Sequence, residues 1–467
     1  MKYVSTRGEV RPIGFEQAVL MGLADDGGLL IPETIPSVAD SLQVWSKLDY
    51  TNLALELFDL YIDDIPRGDL KEIVEKTYSA DVFEPEVAPL VKVGDIYLLE
   101  LWHGPTLAFK DVALQFLGNI FEYILSKRDA HLNILVATSG DTGSAAIAAI
   151  RGKERMNIFV MHPKGRISPI QQRQMTTVLD GNVHNIAIEG DFDDCQRIMK
   201  TLAADLDFKR KYSLGAVNSV NWARLLAQMV YYFWAYFRLA DTADNRELWV
   251  EVPTGNFGNI LAGWYAKQMG LPIDKLILAT NENDILARFF QSGEYRRGKL
   301  IQTLAPSMDI QVASNFERYL YYRIGQDSKK LREMMRQFSQ SGAINLPKRE
   351  NEPIDDFFLA GKANRDEALK TIRKYYQQYG YLIDPHTAVG VAVAEKMMQK
   401  STSSDGKKVV CLSTAHPAKF PEAIRQAIGE DVAHHPVLDA LEGLPTRCTT
   451  LPCDVEAVRE FIIEQSR

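Results

Sequence analysis

Residues 99–115 read LELWHGPTLAFKDVALQ. The apolar run at 96–101 has the character of a strand end, Gly104 and Pro105 make a turn, and an apolar helical pattern begins beside Lys110. A lysine is thereby set at a strand-to-helix transition, half enclosed by Leu107, Phe109, Val112 and Leu114. Burial of this kind disfavours the ammonium form and frees the amine as a nucleophile toward a carbonyl, so Lys110 is a candidate Schiff-base lysine. An isolated lysine at such a position is more often a packed stem with its head in water, and the rest of the chain has to decide between the two.

Outward from this stretch the chain alternates strand, polar loop and helix, the pattern of a parallel α/β sheet. Strands are expected at 132–137, 157–161, 185–189, 248–252, 275–279 and 408–412, with helices at 144–150, 195–204 and 260–269. The aromatic run at 231–237 reads as a buried helix, residues 240–246 as a polar connection, and 328–380 as charged and helical. A chain of 467 residues is too long for one core. We expect a mixed N-terminal segment at 1–90, a smaller α/β domain at 91–240 and a larger one at 241–467.

Composition narrows the functions open to such a chain. With 46% apolar and 24% charged residues it has the make-up of a soluble enzyme. A formal net charge of -8, with no basic run, argues against nucleic acid as a partner but leaves room for a pocket that holds a small anion. The N-terminal residues lack the apolar core of a signal peptide, and no apolar run approaches the roughly 18 residues of a membrane span. The four cysteines are too scattered for a zinc or disulfide framework. A reducing cytoplasm and no membrane partner are the expectations.

Ligands of open α/β sheets bind at the carboxyl ends of the strands. Four loops leave such ends with small or polar residues, at 139–143, 255–259, 280–283 and 413–416. Gly255, Asn256, Phe257, Gly258 and Asn259 lie between a strand and a helix, where backbone N–H groups converge on a phosphate. This loop is neither a Walker loop nor a dinucleotide fingerprint, and a tight turn with no ligand fits it about as well. Ser139, Gly140, Asp141 and Thr142 open another helix and suit a substrate carboxylate, or serve as its N-cap, or both. Thr414 follows a strand and offers a hydroxyl to a ring nitrogen, a choice that leaves the nitrogen largely unprotonated. His416 is read as ordering the turn before Pro417, and His103 stays open between a structural and a catalytic role.

HGPTLAFKD around Lys110, SGDTG, GNFGN and STAHPAKF occur in this order and at these separations. Together they resemble the threonine synthase family, in its longer bacterial and fungal branch. The run GLADDGGLLIPETIP at 22–36, Ser168 to Gln171, and NSVNWAR at 218–224 are similar too, so the resemblance spans nearly the whole chain. It implies the tryptophan synthase β-like fold of fold-type II pyridoxal-phosphate enzymes, with two open parallel-sheet α/β domains. It further implies that Lys110 holds pyridoxal 5'-phosphate, that the loop from Gly255 to Asn259 encloses its phosphate, and that Thr414 bonds its ring nitrogen. Many fold-type II relatives carry asparagine in the loop after the first strand to bond the ring oxygen. Asp141 stands there instead, which leaves that partner open.

The implied reaction is conversion of O-phospho-L-homoserine and water to L-threonine and phosphate, the last step of threonine biosynthesis, by a monomer or homodimer. It demands a second anion site, for which Lys164, Arg166, Ser168, Asn218, Ser219 and Arg224 are candidates and Arg224 the preferred bidentate partner. The rivals are a phospho-lyase of the same fold releasing 2-oxobutyrate, ammonia and phosphate, and a catalytically silent cofactor-binding protein.

Overall fold

The alternating strands and helices assemble into two open sheets in the computed structural model, which describes residues 1–138, 140–215, 217–240, 247–348, 353–401 and 407–466. With strands numbered along the chain, the larger sheet holds β3 (Leu90–Val93), β4 (Ile96–Glu100), β9 (Glu247–Pro253), β10 (Lys275–Thr280), β13 (Phe358–Lys362) and β14 (Lys407–Ser413) in the order β13-β10-β9-β14-β4-β3. All its pairings are parallel except β3 with β4. The smaller sheet is wholly parallel, with β5 (Leu132–Ala137), β6 (Met156–Pro163), β7 (Val183–Glu189), β8 (Leu214–Gly215) and β15 (Thr449–Pro452) in the order β15-β7-β6-β5-β8. Two antiparallel pairs stand apart, β1 (Tyr3–Ser5) with β2 (Leu30–Pro32), and β11 (Glu294–Arg296) with β12 (Ala343–Asn345).

Sheet membership crosses the boundary expected at 240 in both directions. β4, expected in the smaller domain, pairs with β14 of the larger sheet, Leu99 opposite Leu412. β15, near the end of the chain, returns to the smaller sheet with Leu451 opposite Ile188. Local sequence carries no information on which sheet a strand joins, because both sheets read as apolar runs buried on two faces. The stretch at 328–380 is also not helical throughout: between the helices Ser328–Ser341 and Arg365–Tyr379 lies β13, an edge strand beside β10. The polar connection expected at 240–246 lies, apart from its first residue, outside the described residues.

Six helices position the site: α1 (Lys110–Arg128), α2 (Asp141–Ile150), α3 (Pro169–Thr176), α4 (Trp222–Ala240), α5 (Gly258–Gln268) and α6 (Pro385–Lys400). α4 is the aromatic helix expected from sequence, and its Trp222 is fully buried between Tyr3, Tyr61 and Tyr265. Burial of such aromatic surface anchors the N-terminal segment to the core. That segment also grips the wall of the site: Arg7 pairs with Glu317 at 3.1 Å, and the fully buried Arg318 guanidinium donates to the carbonyls of Leu30 and Val220. The N-terminal residues thus fix both residue 220 and the segment around 315.

Candidate active site

The strands β4 and β14 are parallel neighbours, so the loops leaving them run side by side. Backbone bonds zip them together: Leu101 N–H donates to Ser413 O at 3.0 Å, Phe109 N–H to Thr414 O at 2.8 Å, and His416 N–H to Leu107 O at 3.0 Å. Thr414 is thereby held beside the lysine-bearing turn, although the two lie 304 positions apart in sequence. The turn itself is closed by Asp111, which accepts from Thr106 N–H at 2.8 Å and Thr106 Oγ1–H at 2.7 Å. Burial pushes the Asp111 carboxyl up to about 6. Gly104 is needed for this closure, since a Cβ there would lie 2.5 Å from that of Asp111. Leu107 takes a left-handed φ of 59°, a costly conformation for a bulky residue and one that the surrounding ladder enforces.

Lys110 opens α1 and is buried. Its Nζ donates to Asp141 Oδ2 at 3.3 Å and to Ser307 Oγ at 3.2 Å. Burial, helped by repulsion from Lys419 and Arg224, holds its amine below the usual lysine range in spite of Asp141. Asp141, in the first turn of α2, accepts three hydrogen bonds, from Lys110 and Ser307 Oγ (3.0 Å) on Oδ2 and from Gln171 Nε2 (2.7 Å) on Oδ1, and its Oδ1 is ion-paired with Lys419 Nζ at 3.2 Å. Burial alone would raise this carboxyl. The two lysines and the Gln171 amide outweigh it and hold Asp141 well below the usual range.

Ser307 is positioned from a further direction. His386, at the start of α6, directs Nδ1 at Asp384 Oδ1 (2.8 Å) and accepts the Ser307 backbone N–H on Nε2 at 3.2 Å. An acceptor role for Nε2 places the proton on Nδ1, so Asp384 fixes the tautomer and the ring holds the turn at 306–308.

Lys110, Asp141, Ser307, His386 and Thr414 line a cavity of about 730 Å³. Gly255, Asn256, Phe257, Gly258 and Asn259 all line it, at the N-terminus of α5. Gly255 passes so close to the 306–308 turn that a Cβ would lie 2.7 Å from the Ser307 carbonyl oxygen. Phe257 adopts a left-handed φ of 63° and sends its ring into an aromatic cluster with Phe290, Phe316 and Phe358. Asn259 accepts from the hydroxyls of Tyr231 (2.6 Å) and Tyr232 (3.0 Å), while its buried Nδ2 has no partner among the described residues. Asn218, Ser219 and Arg224 also line the cavity. Arg224 is buried with Nη1 unpartnered among the described residues, and burial lowers its guanidinium to about 10. Asn315 Nδ2 ties the 218–224 stretch to the glycine loop by donating to Ser219 O at 2.9 Å and to Asn256 O at 3.2 Å.

Of the residues expected from sequence, the structure brings Lys110, Asp141, Thr142, Asn218, Ser219, Arg224, the 255–259 loop and Thr414 to this one cavity. It does not bring Lys164, Arg166 or Ser168 there. Lys164 is exposed and paired with Glu189 at 2.9 Å, Arg166 is exposed, and Ser168 precedes α3. Gly140 does not line the cavity: its φ of 143° starts α2, and a Cβ would collide with Gln171 at 2.4 Å. Ser139 lies outside the described residues. Sequence reasoning passed over Gln171, Ser307, His386 and Lys419. The Asp384-Pro385-His386 helix start and the lysine within STAHPAKF were visible signals, but nothing local assigns either a partner.

Comparison with known proteins agrees with this geometry. Three family models match: "Threonine synthase N terminus" over residues 2–78, "Pyridoxal-phosphate dependent enzyme" over 83–346, and "Threonine synthase, C-terminal" over 387–462. The threonine synthase of Saccharomyces cerevisiae is 44% identical, over 99% of this chain and 98% of its own. That of Methylobacillus glycogenes is 45% identical over 99% and 100%. Among solved structures, the pyridoxal-phosphate-bound threonine synthase of Brucella melitensis superposes with a TM-score of 0.93 at 43% identity, covering 100% of both chains. The yeast enzyme gives 0.94 at 42% identity, covering 99% and 98%. With its two sheets, its lysine at the strand-to-helix turn and its glycine loop, the chain belongs to the threonine synthase family of fold-type II pyridoxal-phosphate-dependent enzymes.

Proposed function

We propose that this chain converts O-phospho-L-homoserine and water to L-threonine and phosphate with Lys110 as the cofactor lysine. One observation carries the proposal: a buried arginine with an unpartnered nitrogen, Arg224, shares a cavity with a buried lysine and a glycine loop at a helix N-terminus. Two phosphates, one of the cofactor and one of the substrate, suit a pocket with that many donors.

The residues present fit pyridoxal phosphate. The close approach of Gly255 to the 306–308 turn leaves a cradle that a side chain would fill, and the buried Asn259 amide has a donor to spare. Gly255 to Asn259 would hold the phosphate, Lys110 the aldehyde carbon, and Thr414 the ring nitrogen. When bound, the cofactor supplies an electron sink that acidifies the C–H bonds of an attached amino acid.

The chain's own groups direct the remainder. Lys110, once its amine is free, is the base that moves the Cα proton, a role its lowered affinity for protons supports. Asp141 is a fixed anion beside that amine. Ser307 touches both and is placed to pass a proton between the lysine and a substrate carbon or water. Thr142 and the start of α2 would take the substrate carboxylate, and Arg224, with Asn218 and Ser219, the phosphate that leaves Cγ. This outcome requires that competing water be kept from every position but Cβ. Cytoplasmic residence and action as a monomer or homodimer belong to this reading, the first supported by four free, scattered thiols.

Product analysis separates the proposal from a phospho-lyase. Threonine that retains the amine nitrogen is expected, and oxobutyrate with ammonia would overturn it. Lys110→Ala is expected to lose the visible absorption band of the holoenzyme and at least about a thousandfold in kcat; a protein that binds the cofactor but turns nothing over would instead show the band alone. Arg224→Ala is expected to raise KM for phosphohomoserine about 10- to 100-fold, the value of one charge-assisted pair.

A further inference from the structure

Asp141 is flanked by two lysines that live in different places. Lys110 reaches the cavity, whereas Lys419 does not line it, is fully buried, and donates to the carbonyl of Thr106 at 2.6 Å. Lys419 is delivered by the short helical turn Pro417–Lys419 that follows β14, where His416 Nδ1 accepts the Ala418 N–H at 3.2 Å. Its Nζ stands 3.2 Å from the Asp141 oxygen that Lys110 leaves unoccupied. We propose that Lys419 is a positioning residue, a permanent counter-ion that keeps Asp141 a carboxylate whichever charge Lys110 carries.

The physical need is clear from the surroundings. A lysine that alternates between a charged amine and a neutral or covalently bound one withdraws its charge from Asp141 part of the time. A buried carboxylate that loses its only cation takes up a proton instead. Asp141 would then become a donor beside the reacting amine rather than a fixed acceptor. The groups facing this pair are Arg224 from α4, His386 from α6, Ser307 from the 306–308 turn and Gln171 from α3. Lys419 itself also faces Asp111 of α1 and His416. Of the cations, only Lys419 is in contact with Asp141 without reaching the cavity. It also repels the Lys110 ammonium, which works in the same direction as burial.

The test reads Asp141 in the state where residue 110 carries no charge. In the full-length Lys110→Ala apoenzyme, the infrared carbonyl band of a protonated carboxyl is followed against pH, and the share that Asp141→Asn removes is assigned to Asp141. Adding Lys419→Met to Lys110→Ala is expected to move the midpoint of that band up by at least about half a pH unit, a threefold change in the ratio of acid to carboxylate at a fixed pH. Lys419→Arg is expected to restore it, because the charge and not the stem matters. An unchanged midpoint in folded Lys110→Ala with Lys419→Met overturns the proposal. If that variant does not fold, adding Asp141→Asn is expected to recover soluble protein by removing the unpaired charge. A triple variant as insoluble as the double one also overturns it. The inference deepens the function proposed above, yet the apoenzyme assay needs no cofactor. Failure of the cofactor-lysine assignment would instead appear as a holoenzyme band that survives Lys110→Ala.

Discussion

Asp141 and Glu251 are both buried carboxylates, and the chain treats them in opposite ways. Asp141 sits at the carboxyl end of the smaller sheet, with three hydrogen bonds and a second lysine on its two oxygens, and is held well below the usual carboxylate range. Glu251 lies within β9 in the larger sheet, opposite Cys411 of β14 and packed on Gly390 of α6, and neither oxygen has a partner among the described residues. Burial pushes it far above the usual range and favours the neutral acid. The desolvation is similar; the difference is the company. Cations gather where strands end and loops converge, while the interior of a sheet offers backbone already committed to its ladder. A carboxylate can therefore stay ionised at the site and must be protonated in the sheet.

The sharpest way to break this comparison is Asp141→Ala. It leaves Lys110 and Lys419 buried without their shared anion and is expected to cost about 3–5 kcal/mol in stability, measured by urea unfolding at pH 7. A cost below about 1 kcal/mol would show that the lysines do not depend on the carboxylate. Glu251→Gln is expected to do the reverse. A raised glutamate contributes stability below its unfolded pKa near 4.5 and loses it as pH rises, because the unfolded chain releases the proton first. The variant is expected to remove that slope and to be more stable by about 1–3 kcal/mol at pH 8.5, with kcat unchanged. Stability that falls equally with pH in both proteins would contradict a neutral Glu251.

The smallest effect expected is that of acid. Burial lowers His416 and His184 to about 4. Depressed histidines give stability that is full above about 6.5 and lost as pH falls toward 4. Each is expected to cost about 1 kcal/mol at pH 5 after allowance for partial exposure. His416→Asn is expected to flatten its share of the slope in a pH series of melting temperatures, and an unaltered slope would exclude it.

Much of the fold was legible where a strand, a polar loop and a small-residue helix follow each other directly. The units at 132–150 and 248–268 are such cases, since their periodicity is a local property. β13 was hidden inside a charged stretch because its five residues are too few to show a period. At the site, the lysine turn and the glycine loop carry their chemistry in short contiguous motifs, so both were readable. Lys164 and Arg166 misled because charge in a loop does not say which way the loop faces, and Lys164 found Glu189 instead. His386 and Ser307 escaped notice because their roles exist only as a contact between residues far apart in the chain.

The sequence by itself determined the family of the chain, the nucleophilic lysine and the loop at a helix start. Each is encoded by side chains and glycines within a few residues, where sterics and propensity act directly. Only the tertiary structure decided that Asp141 stands between two lysines, that Arg224 faces the cavity with a nitrogen to spare, and that β4 and β15 trade sheets. Burial and charge pairing depend on which distant groups are brought within a few ångströms, and that distance is set by packing.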